Sequence, residues 1–191
     1  MPSYRLVIFA SGSGTNAEQI IRHFKGYANI EVVLLLSNNA GAYALERAKR
    51  LGIPTHVFDR QALREGGVLD ILQEHKATHL VLAGFLWLVP ENILRAFRGR
   101  VINIHPALLP KYGGRGMYGD RVHEAVKKSG DLETGITIHE VNEKYDEGRI
   151  LFQARCPVLP ADTPADIATR VHALEYAHYP EVIESWVYGR L

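Results

Sequence analysis

Five short strand-like runs, most of them apolar, divided from one another by stretches of helical periodicity, limit this chain to few folds. They occupy residues 6–10, 30–37, 55–58, 79–83 and 101–105. The first and second are nearly continuous apolar segments, as expected of strands buried on both faces of a parallel sheet. The segments between them read as helices. One opens at Ala17 after a glycine-rich turn, with Thr15 and Glu18 at capping-box spacing. A second spans 42–51, stopped by Gly52 with Pro54 just beyond. A third covers 60–74 and is weakened at Gly66 and Gly67. A fourth follows 84–89, with Pro90 at its first position. Strand and helix in strict alternation imply right-handed crossovers and a parallel sheet.

The second half changes pattern. Residues 133–141 alternate, with Ile136 and Ile138 on one face and Thr137, His139 and Val141 on the other. Residues 150–158 read as a return strand after a short polar turn, so this pair is antiparallel. Between these parts, Asp120 is placed as the N-cap of a helix reaching Ser129. Thr163, Pro164 and Asp166 start a last helix, expected to run to His178 and to kink or end at Pro180. No repeat, low-complexity tract or linker interrupts residues 1–191, which predicts one α/β domain.

Composition narrows the partners. The chain has 191 residues, 47% apolar and 23% charged, with a formal net charge of +1. Such a balance offers no field for nucleic acid or an anionic membrane. A single cysteine, Cys156, excludes an internal disulfide framework and a Cys-rich zinc site. No apolar run is long enough to span a bilayer, and residues 6–10 are too short for a signal-peptide core. The expectation is a cytoplasmic protein, monomer or homodimer, that acts on small molecules.

Two stretches carry chemistry. Asn103 and His105 lie two residues apart on the fifth strand, so both project from one face, and Pro106 ends the strand. This sets an amide and an imidazole side by side at the carboxyl end of a strand, where open α/β sheets bind ligands. An amide aimed into a cleft is a good oxyanion donor. The turn Ser11-Gly12-Ser13-Gly14-Thr15-Asn16, between a strand and a helix, is an anion site by its free N–H groups and helix dipole. Three readings of it stand: a phosphate monoester on Gly14, Thr15 and Asn16, a dinucleotide, or a tight turn with no ligand. Against the dinucleotide, the second strand ends in Ser37-Asn38-Asn39-Ala40, with no acid for a ribose. Residues 106–119 form a long Gly- and Pro-rich loop, of the kind that serves as a lid or is disordered. Asp146, in Asp-Glu-Gly, is read equally as turn chemistry or as a catalytic acid. Neither a metal site nor a G-x-S-x-G nucleophile elbow is supported.

Taken together, these motifs resemble a known family. Asn103-Ile104-His105-Pro106-Ala107-Leu108-Leu109-Pro110-Lys111-Tyr112 is similar to the catalytic segment of the 10-formyltetrahydrofolate-dependent formyltransferases. Gly135-Ile136-Thr137-Ile138-His139, continuing through Val141 to Tyr145-Asp146-Glu147-Gly148, is similar to their second signature. Within the family, residues 11–16 and Leu82-Ala83-Gly84-Phe85 point to the branch that formylates glycinamide ribonucleotide in purine synthesis.

The resemblance implies a three-layer Rossmann-like formyltransferase fold over essentially the whole chain. It implies catalysis by Asn103, His105 and Asp146, without a metal. It implies that Gly14, Thr15 and Asn16 hold the substrate phosphate, with help from Arg64 or Arg60, and that Glu175 contacts the ribonucleotide. The 10-formyltetrahydrofolate co-substrate is expected along Leu86, Trp87, Leu88 and Val89, with Val141 and Tyr145. Asp146 is expected to raise the pKa of His105, so that a protonated His105 joins Asn103 as oxyanion donor. Trp87 departs from some members, which carry arginine there, and the 113–119 loop, preceding His123, is longer than in some relatives. The related chemistries are formyltetrahydrofolate hydrolysis and formyl transfer to other amines, including those of methionyl-tRNA and of sugar nucleotides. A tRNA enzyme would carry an additional tRNA-binding domain, for which this chain offers no segment.

Overall fold

The computed structural model describes residues 3–191. The chain divides into two compact units, Met1–Ile102 and Asn103–Leu191. The strand order is β3-β2-β1-β4-β5-β6-β7, a seven-stranded mixed sheet.

In the first unit, β1 (Tyr4–Phe9), β2 (Ile30–Ser37), β3 (Thr55–Val57) and β4 (His79–Leu82) lie parallel. β1 is central, pairing with β2 on one side and β4 on the other. Leu6, Val7 and Ile8 have no exposed surface, which explains why β1 is apolar on both faces. The helices are α1 (Thr15–Phe24), α2 (Tyr43–Arg50), α3 (Arg60–Glu65), α4 (Gly67–Glu74) and α5 (Glu91–Ala96). The break expected at Gly66 is present: it takes φ 104 and separates α3 from α4. Two start signals fall elsewhere. Gly14, in the left-handed region, occupies the N-cap of α1, and Glu18 pairs with Arg22 and Arg47 instead of closing a capping box with Thr15. Pro90 is the N-cap of α5 rather than its first helical residue.

The strand β5 (Val101–His105) crosses the unit boundary. The second unit then holds α6 (Asp120–Ser129), β6 (Glu133–Glu140), β7 (Ile150–Pro157) and α7 (Pro164–Val187). β6 and β7 are antiparallel, with Thr137 opposite Gln153. Asp120 is the first residue of α6, not its cap, because Gly119 takes that place. The capping box of α7 is complete: the Thr163 side chain accepts from the Asp166 N–H, and Asp166 accepts from the Thr163 N–H. Pro180 does not end α7, which continues to Val187. Proline removes one backbone hydrogen bond, but Tyr179, Val182, Ile183 and Trp186 around it are buried, and their burial holds the helix together across that loss.

Candidate active site

In the first unit, the turn after β1 and the segment after β4 come together. The Ser11 N–H donates to Gly84 O at 3.0 Å, and the Leu86 N–H to Ser11 Oγ at 3.2 Å. Ser11 Oγ donates in turn to Asn38 Oδ1 at 2.6 Å, and Asn39 Nδ2 to Ser11 O at 3.2 Å. β1 and β4 are neighbours joined through other strands on either side, so this is the switch point where α/β sheets bind ligands. Gly14 is obligatory here: at φ 74, a Cβ would stand 2.5 Å from Ala44 Cα. That close approach fixes the entry to α1, an end at which a helix presents its first backbone N–H groups. Gly12 and Ser13 are exposed at the rim.

The segment 86–89 runs beside this turn. Leu86 and Leu88 are exposed, Trp87 half-buried and Val89 buried. Arg60 lies over the Trp87 ring, 4.5 Å from its centroid, so of the two arginines weighed for the phosphate one is stacked on indole. Arg64 is exposed in the last turn of α3.

The second unit gathers Asn103, His105, His139 and Asp146 into one cluster. Asn103 and His105 come from β5 and His139 from β6. Asp146 comes from the turn between β6 and β7, with a left-handed backbone at φ 57. This turn is pressed onto β6 at Gly148, where a Cβ would lie 1.6 Å from Glu140 O. Asp146 Oδ2 is 3.6 Å from His105 Nδ1, and its Oδ1 is 3.6 Å from His139 Nε2. The Gly114 N–H donates to Asp146 Oδ2 at 2.9 Å, tying the 106–119 loop to the cluster.

Backbone carbonyls set both tautomers. His139 Nδ1 donates to Glu140 O at 2.8 Å, so Nε2 holds a lone pair and accepts from Asn103 Nδ2 at 3.1 Å. His105 Nε2 donates to Tyr112 O at 2.8 Å, so its Nδ1 lone pair faces Asp146. Asn103 has a second amide N–H, which is engaged by no residue among those described.

The electrostatics correct one expectation. The pKa of His105 is lowered, not raised: burial dominates, outweighing the attraction of Asp146 and the Tyr112 hydrogen bond, with His139 lowering it further. His105 is therefore neutral at pH 7, and both its ring nitrogens are directed at groups of the chain. For Asp146, burial works to raise the pKa. The contact with His139, the pull of His105 and the Gly114 N–H prevail, and the carboxyl is held below its usual value.

The other sequence-picked residues are placed as follows. Val141 and Tyr145 are half-buried on the β6–β7 turn, and Glu175 is buried on α7. His123 is buried in the first turn of α6, its Nδ1 without a hydrogen bond. The sequence reading left His139 out of the catalytic set, although the signal existed: the period of two puts it on the face of Thr137, seven residues before Asp146. Tyr112 carried no such signal, because its contribution is a backbone carbonyl.

The chain is similar to known proteins over most of its length. Residues 4–183 match the family described as Formyl transferase, and the chain belongs to it. It is 41% identical over 186 residues to the chloroplastic phosphoribosylglycinamide formyltransferase of Arabidopsis thaliana, covering 94% of this chain but 64% of that protein, under two thirds of its length. It is 37% identical to the phosphoribosylglycinamide formyltransferase of Haemophilus influenzae, covering 98% of this chain and 89% of the relative. The crystal structure of glycinamide ribonucleotide transformylase 1 from Symbiobacterium toebii superposes with a TM-score of 0.89 at 35% identity, covering 98% of this chain and 89% of that one. No helix among the described residues is long and apolar enough to cross a membrane.

Proposed function

We propose that this chain is a phosphoribosylglycinamide formyltransferase, moving the formyl group of 10-formyltetrahydrofolate to the amine of glycinamide ribonucleotide. The observation that carries the reading is the convergence of two imidazoles on the Asp146 carboxylate, one of them, His105, with its Nδ1 lone pair open, next to an amide with a spare N–H. Acyl transfer to an amine needs these two things: acceptors for the proton the amine sheds, and a donor for the oxyanion. The donor set fits a formyl-folate, which supplies the formyl carbonyl and, at N10, the leaving nitrogen.

The chain's residues divide the work. The second N–H of Asn103 donates to the developing oxyanion, while the first, held by His139, fixes the amide plane. His105, neutral before reaction, accepts a proton at Nδ1. The imidazolium so formed lies between the Tyr112 carbonyl and the Asp146 carboxylate, which both stabilise it. Asp146 and His105 then return the proton to the leaving nitrogen. His105 thus acts as a proton carrier rather than as the oxyanion donor expected from the resemblance. Gly14, Thr15 and Asn16 receive the phosphate, with Arg64 free to approach it, and Glu175 meets the ribonucleotide. Leu86, Trp87, Leu88 and Val89, with Val141 and Tyr145, receive the folate. The protein works as a single formyltransferase domain in the cytoplasm, as monomer or homodimer, and no metal takes part.

A paired assay tests this: 10-formyltetrahydrofolate with and without glycinamide ribonucleotide, followed by loss of the formyl-folate absorbance and by mass spectrometry of products. Turnover that requires the ribonucleotide and yields its formyl derivative supports the reading. Equal turnover without it, releasing formate, makes the protein a hydrolase instead.

A further inference from the structure

The proton-carrying role of His105, on which this inference rests, depends on which ring nitrogen bears the proton in the neutral state. A carbonyl can only accept, so the 2.8 Å contact with Tyr112 O puts the proton on Nε2 and leaves Nδ1 basic. Without that carbonyl, the strongest acceptor near the ring would be the Asp146 carboxylate at 3.6 Å from Nδ1. The proton would then move to Nδ1, and the base would become a donor with nothing to accept. The Tyr112 carbonyl is thus the switch that keeps His105 reactive.

Its position is not one the backbone adopts freely. Tyr112 has φ 57, a left-handed conformation that a bulky residue enters only when it is held there. The hold lies at the far end of its own side chain. The Tyr112 hydroxyl lies 2.8 Å from Asp131 Oδ2, to which it donates, and 2.5 Å from Ser129 Oγ at the end of α6. Lys111 pairs with the same carboxylate at 3.0 Å, so two consecutive loop residues are clamped on Asp131. Lys111, Tyr112 and Asp131 also line a cavity of about 320 Å³ that Asn103, His105, His139 and Asp146 do not line. Asp131 is joined to His105 through Tyr112, whose hydroxyl it holds and whose carbonyl meets the ring.

We propose that Tyr112 and Asp131 are positioning residues: the phenol–carboxylate tether fixes the Tyr112 carbonyl against His105 Nε2 and so holds His105 in its reactive tautomer. No residue of this tether is assigned a role by the resemblance to the family.

The test uses the intact chain with ¹⁵N-labelled histidine, His105 being assigned by the resonance lost in His105→Gln. The wild type should show His105 protonated at Nε2 at pH 7.5. Tyr112→Phe and Asp131→Ala should shift it towards the Nδ1–H form. Their kcat should fall roughly tenfold, as for a ring nine-tenths in the wrong tautomer, with KM for both substrates within about twofold. Asp131→Asn keeps an acceptor for the phenol but loses the charge paired with Lys111, and it should retain the wild-type tautomer. Protonation at Nδ1 in the wild type, or an unchanged Nε2–H signal in folded Tyr112→Phe, would overturn the proposal. The tautomer is read without substrate, so it judges the tether even if the assay above finds no formyl transfer.

Discussion

The two units build their chemistry in opposite ways. The turn of the first unit is made of contiguous residues, 11–16, and offers mainly backbone: helix N–H groups at the mouth of α1 and, at Gly12, open space in place of a side chain. The cluster of the second unit is made of four side chains from three places, Asn103 and His105 on β5, His139 on β6 and Asp146 on the following turn, with a carbonyl from Tyr112. A backbone site depends on the shape of the chain and tolerates exchange of side chains that do not alter that shape. A side-chain site depends on the chemical identity of a few atoms and on long-range packing that brings them together. The contrast predicts different patterns of mutational damage.

The largest effect is expected at Asp146. Asp146→Asn keeps size and the capacity to accept from Gly114 but removes the charge that stabilises protonated His105, so turnover should fall at least roughly a hundredfold. Asn103→Ala should lose a similar factor through the oxyanion donor. Both variants should melt near the wild type, and near-normal kcat in either would end the assignment of the cluster as the catalytic centre.

Next come the glycines of the first turn, which separate fold from binding. Gly14→Ala must accommodate both φ 74 and Ala44 atoms at 2.5 Å, and should lose about 1–2 kcal/mol or more of stability. Gly12→Ala meets nothing within 4 Å and should leave the melting temperature unchanged while raising KM for the ribonucleotide several-fold. If Gly12→Ala binds the ribonucleotide as tightly as the wild type, the turn is only a turn.

A pH series compares the units more gently. Burial, aided by Arg100 for His79 and by His172 for His123, lowers both pKa values to about 4, one histidine in each unit. Between pH 6.5 and 4 the unfolded chain binds protons at these sites that the folded chain refuses. Stability should therefore fall as pH drops through that window and be constant, as far as these two groups are concerned, above it. Melting temperature at pH 7.5 and 5 should differ by several degrees, and His79→Gln and His123→Gln should each flatten part of the slope. The smallest effect is at the cap of α7: Thr163→Ala should cost about 1 kcal/mol, roughly 2–4 °C, without touching kcat.

Much of this molecule is legible one segment at a time. The apolar runs, the glycine break at Gly66 and the capping box at Thr163 are local signals, and each element they mark is present. The same holds for the first turn, since six adjacent residues carry its whole pattern. Legibility falls where an element's ends or continuity are decided by its neighbours. Gly14 displaced Thr15 as the cap of α1 because the approach to Ala44 demands a left-handed residue there. Pro180 lies within α7 because the buried residues on either side outweigh its missing hydrogen bond.

The sequence by itself determined the order of strands and helices, the pairing of Asn103 with His105 on one face, and the candidate turn, since periods of two and 3.6 residues and glycine at tight turns act over a few residues. Tertiary structure alone decided the electrostatic state of the cluster. It brought His139 to Asn103, set Tyr112 O against His105, and buried His105 deeply enough for desolvation to override Asp146. The reason is physical: periodicity reports which way a side chain points, whereas a proton's position depends on every acceptor and every layer of excluded water around it, and these come from residues distant in the chain.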